Sequence, residues 1–243
     1  MKLKTIFAVI LIMLLTLPIS AEMIQRHLLT LPKNNNLAIG IHSKIWNSIA
    51  MEESLLQQAA VLFTRLDGTF AVEKYLLDQQ NNNSSSAHYQ YTVVSDIELL
   101  DYNYKNLKFI NNQEIYGSII AFFSLQDQQT KYTFSVSSKD VFAEKWGVNI
   151  TKNDTLVYGI SKSSRIETAF EEAFENALIE YSKYICQNIK TLYKVDDDNS
   201  VLVMENTAIN MINHLEFSKI QIEILKDSKT LEYKVYIELR KES

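Results

Sequence analysis

Cysteine occurs once in the 243 residues, proline twice and glycine five times. A single cysteine excludes a disulfide framework and a cysteine-ligated zinc ribbon. So few glycines exclude a Gly-rich phosphate cradle, and the shortage of glycine and proline together leaves few sharp turns. Basic residues are in the minority, 24 Lys and Arg against 29 Asp and Glu, for a net charge of −5. That balance speaks against a nucleic-acid binder, which carries a basic patch or stripe. What remains is a globular composition, 47% hydrophobic and 22% charged, with enough apolar residues to build a core.

The first residues predict export. Lys2 and Lys4 form a positive start, residues 6–17 are apolar except for Thr16, and Pro18 ends the run. Ile19-Ser20-Ala21 then places suitable residues before a cut at Glu22, the pattern of a secretory signal peptide over residues 1–21. The apolar run falls short of the about 20 residues a membrane-spanning helix needs, and no later stretch approaches that length. The first residue after the cut is Glu22 and not a cysteine, so the lipid anchor of a bacterial lipoprotein is not expected. The mature chain is therefore expected in a periplasm or secreted, without a transmembrane span. Cys186 lies between Ile185 and Ile189 on a helical pattern and reads as a small buried hydrophobe, with no adjacent cation to activate a thiolate.

Two segments match without a gap. Leu37-Ala38-Ile39-Gly40-Ile41 and the later Ala50-Met51-Glu52-Glu53 correspond, 119 positions on, to Leu156-Val157-Tyr158-Gly159-Ile160 and Ala169-Phe170-Glu171-Glu172. Tyr116 and the strand after it resemble Tyr233 and its strand at an offset of 117. An internal duplication is the expected cause. Each half reads as a short strand, a polar turn, an amphipathic helix and a later pair of strands. The helix over 166–189 is the clearest, with apolar residues at three- and four-residue steps and an alanine stripe at Ala169, Ala173 and Ala177; Ser164 with Glu167 reads as its capping box. In the first half the helical pattern covers 49–66 and resumes over 70–77. Residues 89–110 are rich in β-formers, Asn111-Asn112 reads as a turn, and 114–125 as the partner strand. Residues 131–136 read as an extra strand. The last run, Leu231 to Leu239, alternates strictly, which predicts a strand with one buried face.

The expected fold is therefore α+β: two tandem βαββ-type units, each a helix packed on a small antiparallel sheet. Their expected spans are 22–140 and 155–243, with 141–154 as the linker.

A search for chemistry returns no catalytic, cofactor-binding or metal site, and no cofactor is expected. His27, His42, His88 and His214 stand apart, without a second ligand at metal spacing. Asp196-Asp197-Asp198 lacks the later Gly and Glu of a calcium loop. The paired carboxylates Glu52-Glu53 and Glu171-Glu172 are expected in the first turns of helices, where they would complement the helix dipole. The turns after Gly40 and Gly159 could cradle an anion, but those same carboxylates would repel one, and the glycines read as scaffold residues. Tyr89, Tyr91, Tyr102, Tyr104 and Tyr116 crowd the first unit and read as sheet packing, although tyrosine also suits a partner surface.

The strand ending at Ser161, the Ala/Glu-rich helix from Ala169 and the alternating strand from Tyr233 resemble the bacterial LPP envelope-lipoprotein family with a twenty-kilodalton prototype. That domain is similar to one in a flagellar H-ring assembly protein and to outer-membrane activators of peptidoglycan synthases. The resemblance implies a βαββ-type domain, an envelope location and a non-enzymatic role. The leading expectation is thus an exported, non-catalytic envelope protein that binds a partner protein or self-assembles. The alternatives are a hydrolase of wall or extracellular polymer, and a carrier of a small apolar ligand.

Overall fold

The computed structural model describes residues 23–43, 48–67, 69–78, 86–127, 130–143, 145–151, 154–193, 208–212, 214–226 and 230–242. The expected signal peptide over 1–21, the acidic run at 196–198 and most of the polar stretch 79–87 lie outside them. The fold is α+β, with antiparallel pairing throughout. Among the described residues there are three helices, α1 (Ser48–Asp67), α2 (Ile97–Asn106) and α3 (Ile166–Tyr193). None is long and apolar enough to cross a membrane.

Two helix-on-sheet assemblies dominate. In the first, β2 (Leu37–Ser43) leads into α1, and β5 (Lys108–Ile115) and β6 (Ser118–Ser124) complete a sheet of order β2-β6-β5. In the second, β9 (Asp154–Ser163) leads into α3, and β11 (Leu215–Lys226) and β12 (Leu231–Glu242) lie beside it in the order β9-β12-β11. This second sheet is extended to six strands by β1 (Met23–Thr30) and β7 (Ser135–Ser137) at one edge and β8 (Gly147–Ile150) at the other. A third sheet joins β3 (Thr69–Asp78) to β4 (Ser86–Ser95) and to β10 (Ala208–Ile212). The expected boundaries are thus crossed by strand pairing. β1 and β7, from 22–140, sit in the sheet of the second assembly, β10 from 155–243 pairs with β3, and 141–154 carries β8.

The two assemblies share three local details. Each has a bulge where the hairpin pairing shifts, between Phe109 and Asn111 and between Phe217 and Lys219. Each has a strand glycine pressed against the helix: a β-carbon would lie 2.2 Å from the Leu55 carbonyl oxygen at Gly40 and 1.9 Å from that of Ala173 at Gly159. Each helix buries a hydroxyl that donates to the carbonyl one turn back, Thr64 to Ala60 at 2.7 Å and Ser182 to Leu178 at 2.8 Å.

One large apolar core joins both assemblies. Ala169, Phe170, Ala173, Phe174, Ala177 and Leu178 of α3 are all fully buried, as the four-residue steps require. They meet the alternating Val235, Ile237 and Leu239 of β12 and Ile220, Ile222 and Ile224 of β11, while Ile39, Ile41 and Phe122 of the first sheet join the same cluster. Asn35, itself buried, ties the β1–β2 connection to β11 by donating to the carbonyls of Pro32 and Phe217 and accepting from the Leu37 N–H.

Four local expectations are corrected. Residues 70–77 do not resume a helix but form β3, because a continuous ladder with β4 and a second with β10 satisfy their backbone groups and outweigh helical spacing. Residues 89–110 are not all extended: α2 begins after Asp96, whose carboxylate accepts the N–H groups of Glu98 and Leu99, an N-cap. Asn111-Asn112 is strand, not turn. The Asn111 amide exchanges hydrogen bonds with the backbone of Tyr132, and Gln113 does so with Phe134, which covers this sheet edge. The hairpin turns instead at Tyr116-Gly117, whose φ values of 52° and 75° are those a two-residue connection between right-twisted strands requires. Finally, α3 starts at Ile166, after Arg165, rather than behind a Ser164 cap, and the Arg165 carbonyl accepts the Ala169 N–H.

Candidate functional site

The residues singled out by sequence are scattered. Glu52 and Glu53 are exposed on α1 and Glu171 and Glu172 on α3, but none stands in a first helical turn as expected: α1 begins at Ser48 with no acidic residue in its first turn, and in α3 that place is taken by Glu167. Glu171 accepts from the Gln58 amide at 2.7 Å and Glu172 from Ser161 at 2.5 Å. Gln58 also takes the Ile41 N–H, so it links β2 to both helices. Neither carboxylate pair is buried as a general acid would need to be. His42 rests against the Ser43 carbonyl, and His27 buries both ring nitrogens without a partner. Burial lowers the His27 pKa. The side chains of His88, Cys186, Tyr89 and Tyr91 lie outside those described. Among the described residues no group of three His, Cys, Asp or Glu could hold a metal ion.

The turn into α1, residues 44–47, is outside the described residues. At the α3 start the first turn is occupied by Glu167. Its carboxylate accepts from Arg165 at 2.6 and 2.9 Å and from Ser43 of β2 at 2.8 Å. Burial alone would raise its pKa, but these bonds and its own backbone N–H hold it below the ordinary carboxylate range. A carboxylate so placed satisfies the helix dipole and disfavours a bound anion.

Two depressions stand out. The smaller, about 320 Å³, lies where the β1–β2 connection meets the end of α1 and the start of β11. It holds the pair His214–Asp67, Nδ1 to Oδ1 at 3.2 Å, with the His214 backbone N–H donating to the same oxygen at 3.1 Å. His214 carries a positive φ of 60°. Both side chains are largely in water, and no Ser, Thr or Cys is in its lining to serve as a nucleophile. Glu216, also there, is bound to Arg240 at 2.7 Å and to the Asn35 N–H at 3.1 Å.

The larger, about 540 Å³, is a groove between α1, α2 and the first sheet. Its floor and walls are Leu55 and Leu56 from α1, Tyr104 and Leu107 from the end of α2, and Phe109 and Phe123 from β5 and β6. Glu52 and Glu53 stand at its rim, and among the described residues neither is ion-paired. Phe109 is 58% exposed although it packs edge-on against Phe123, with ring centroids 5.8 Å apart. Tyr104, expected to pack within the first unit's sheet, stands on α2 instead, and nothing in the sequence pattern marks Phe109.

Comparison of the chain with family models, with curated proteins and with solved structures finds no match.

Proposed function

We propose that this chain is an exported, non-catalytic envelope protein, made of two duplicated βαββ-type units, that acts by binding a partner protein. The groove carrying the exposed Phe109 is the observation that supports a binding role, because an aromatic left half in water at an apolar depression marks a contact site. The duplication is supported by the common strand order, the matched bulges, the two pressed glycines and the two back-bonded hydroxyls. On the strands, Gly40 faces Ala121 and Gly159 faces Ile237. The equivalence at β6 and β12 is therefore one residue from the match of Tyr116 with Tyr233, which would exchange the two faces of the strand. The likeness to the envelope-lipoprotein domain is consistent with this reading. Export would remove residues 1–21, and N-terminal sequencing of the released protein should begin at Glu22.

The deciding experiment is crosslinking and affinity capture in the producing cells, with wall polymer turnover assayed in parallel. A specific crosslinked protein without turnover supports the reading. Turnover that His214→Ala abolishes would replace it with the hydrolase reading, which the His214–Asp67 pair favours.

A further inference from the structure

The two assemblies provide an internal template for the groove. Superposing the bulges places Phe109 on Phe217, each opposite its hairpin partner, Phe123 and Leu239. Superposing the back-bonded hydroxyls places Thr64 on Ser182, and therefore Glu52 on Phe170 and Leu56 on Phe174. The glycine contacts give the same alignment, Leu55 on Ala173. In the second assembly the Phe217 ring is fully buried, with its centroid 6.1 Å from that of Phe170 and 5.6 Å from that of Phe174. In the first, the two covering rings are absent. A carboxylate and a leucine stand in their place, Phe109 is exposed, and the space left is the groove.

We infer that this groove binds a polypeptide segment that presents an aromatic side chain beside a lysine or arginine, the incoming ring covering Phe109 as Phe170 and Phe174 cover Phe217. The inference rests on the binding role proposed above and specifies its chemistry. The ring is chosen because it is what the same scaffold uses to close the equivalent space, and aromatic pairs gain beyond the area they bury. The basic neighbour is chosen because Glu52 and Glu53 stand at the rim without an ion-pair partner among the described residues. Rim charges select partners more than they add affinity.

The test is to pan a displayed heptapeptide library against the chain from Glu22 onward and to measure the enriched peptides by fluorescence anisotropy. The expected outcome is enrichment of Phe, Tyr or Trp within two positions of Lys or Arg. Leu56→Phe, which rebuilds one missing ring, should weaken binding by about tenfold or more. Glu52→Lys with Glu53→Lys should weaken it as much while leaving the melting temperature nearly unchanged, since both positions are exposed; this pair decides the matter if Leu56→Phe fails to fold. No enrichment, enrichment of acidic peptides, or affinity indifferent to these variants overturns the inference. So does saturable binding of a neutral apolar dye with no peptide enriched, which points to a carrier. Partner capture undiminished by Leu56→Phe would keep the binding role and discard the groove, so the two failures are separable.

Discussion

Gly159 lies directly beneath Ala173: a β-carbon there would stand 1.9 Å from the Ala173 carbonyl oxygen and 2.6 Å from the Ala177 amide nitrogen. Both neighbours are helix backbone, so neither can turn aside as a side chain would. The glycine and the alanine stripe of α3 are therefore one device, which lets helix and strand approach within backbone contact. Gly159→Ala should cost about 3 kcal/mol, at the upper end of overpacking penalties, and lower the melting temperature by roughly 10 °C for a chain of this size. Gly117 makes the opposite case. It has φ of 75° and open space around it, so Gly117→Ala should cost only about 1 kcal/mol, from backbone strain. Thermal denaturation of the two variants side by side checks the contrast.

The strands and helices that carry strong periodicity were legible in the sequence. The Ala169/Ala173/Ala177 stripe and the alternation from Leu231 to Leu239 each specify an element and the face it buries, because the pattern and the packing are the same physical requirement. β3 was not legible, since the spacing of Phe70 to Leu77 suits a helix as well as a strand, and only its long-range partners decide. The groove was hidden for a related reason. In the alignment that supports the inference, Glu52 and Leu56 stand where the second assembly has phenylalanines, and that alignment needs a shift of one residue from the gap-free match read in the sequence. Asp96 was a readable cap, masked by the tyrosines around it.

His27 should make stability depend on mild acid. Both of its ring nitrogens are buried without a partner and its pKa is lowered. The unfolded chain then takes up a proton at its ordinary pKa of 6.5 before the native state does. Stability from this residue is full above that pKa and falls as the pH drops below it toward the native value. His27→Leu should flatten the stability curve across this window, above the range where carboxylates titrate. Urea unfolding at a series of pH values measures it, and a slope equal in the two proteins would contradict the assignment.

Ser43 and Glu167 join β2 to the start of α3 through a 2.8 Å hydrogen bond to a carboxylate that is nearly buried. Removing the hydroxyl leaves that oxygen without one of its donors. Ser43→Ala should therefore cost about 1.5–3 kcal/mol near neutral pH, the range for hydrogen bonds to charged groups. Because the Glu167 pKa is depressed, its contribution is present above the ordinary carboxylate pKa and is lost as the pH falls through the native value. The gap between variant and parent should accordingly close in acid.

Phe142 holds a strap over the outer face of the six-stranded sheet. It is 2% exposed, stacked on Tyr236 with centroids 5.5 Å apart and edge-on to Tyr158 at 6.2 Å. The strap is pinned on one side of the ring by buried Gln221, which accepts the Val141 N–H at 3.0 Å and donates to Asp140 at 3.1 Å. On the other side Lys145 lies 3.8 Å from the buried Glu238 carboxylate and faces the Phe142 and Tyr158 rings. Under this cover the Tyr158 and Tyr236 hydroxyls have raised pKa values, in both cases chiefly from burial, with the nearby carboxylates adding to the effect. Phe142→Ala removes the plug and should cost about 3–5 kcal/mol. It should also admit water to both hydroxyls and lower their pKa values toward the ordinary 10. Spectrophotometric titration would then show two fewer late-ionising tyrosines than in the parent, while Phe142→Leu, which keeps an apolar plug, should retain them. A Phe142→Ala variant whose tyrosines titrate as in the parent would mean that the sheet itself, and not the strap, keeps this face dry.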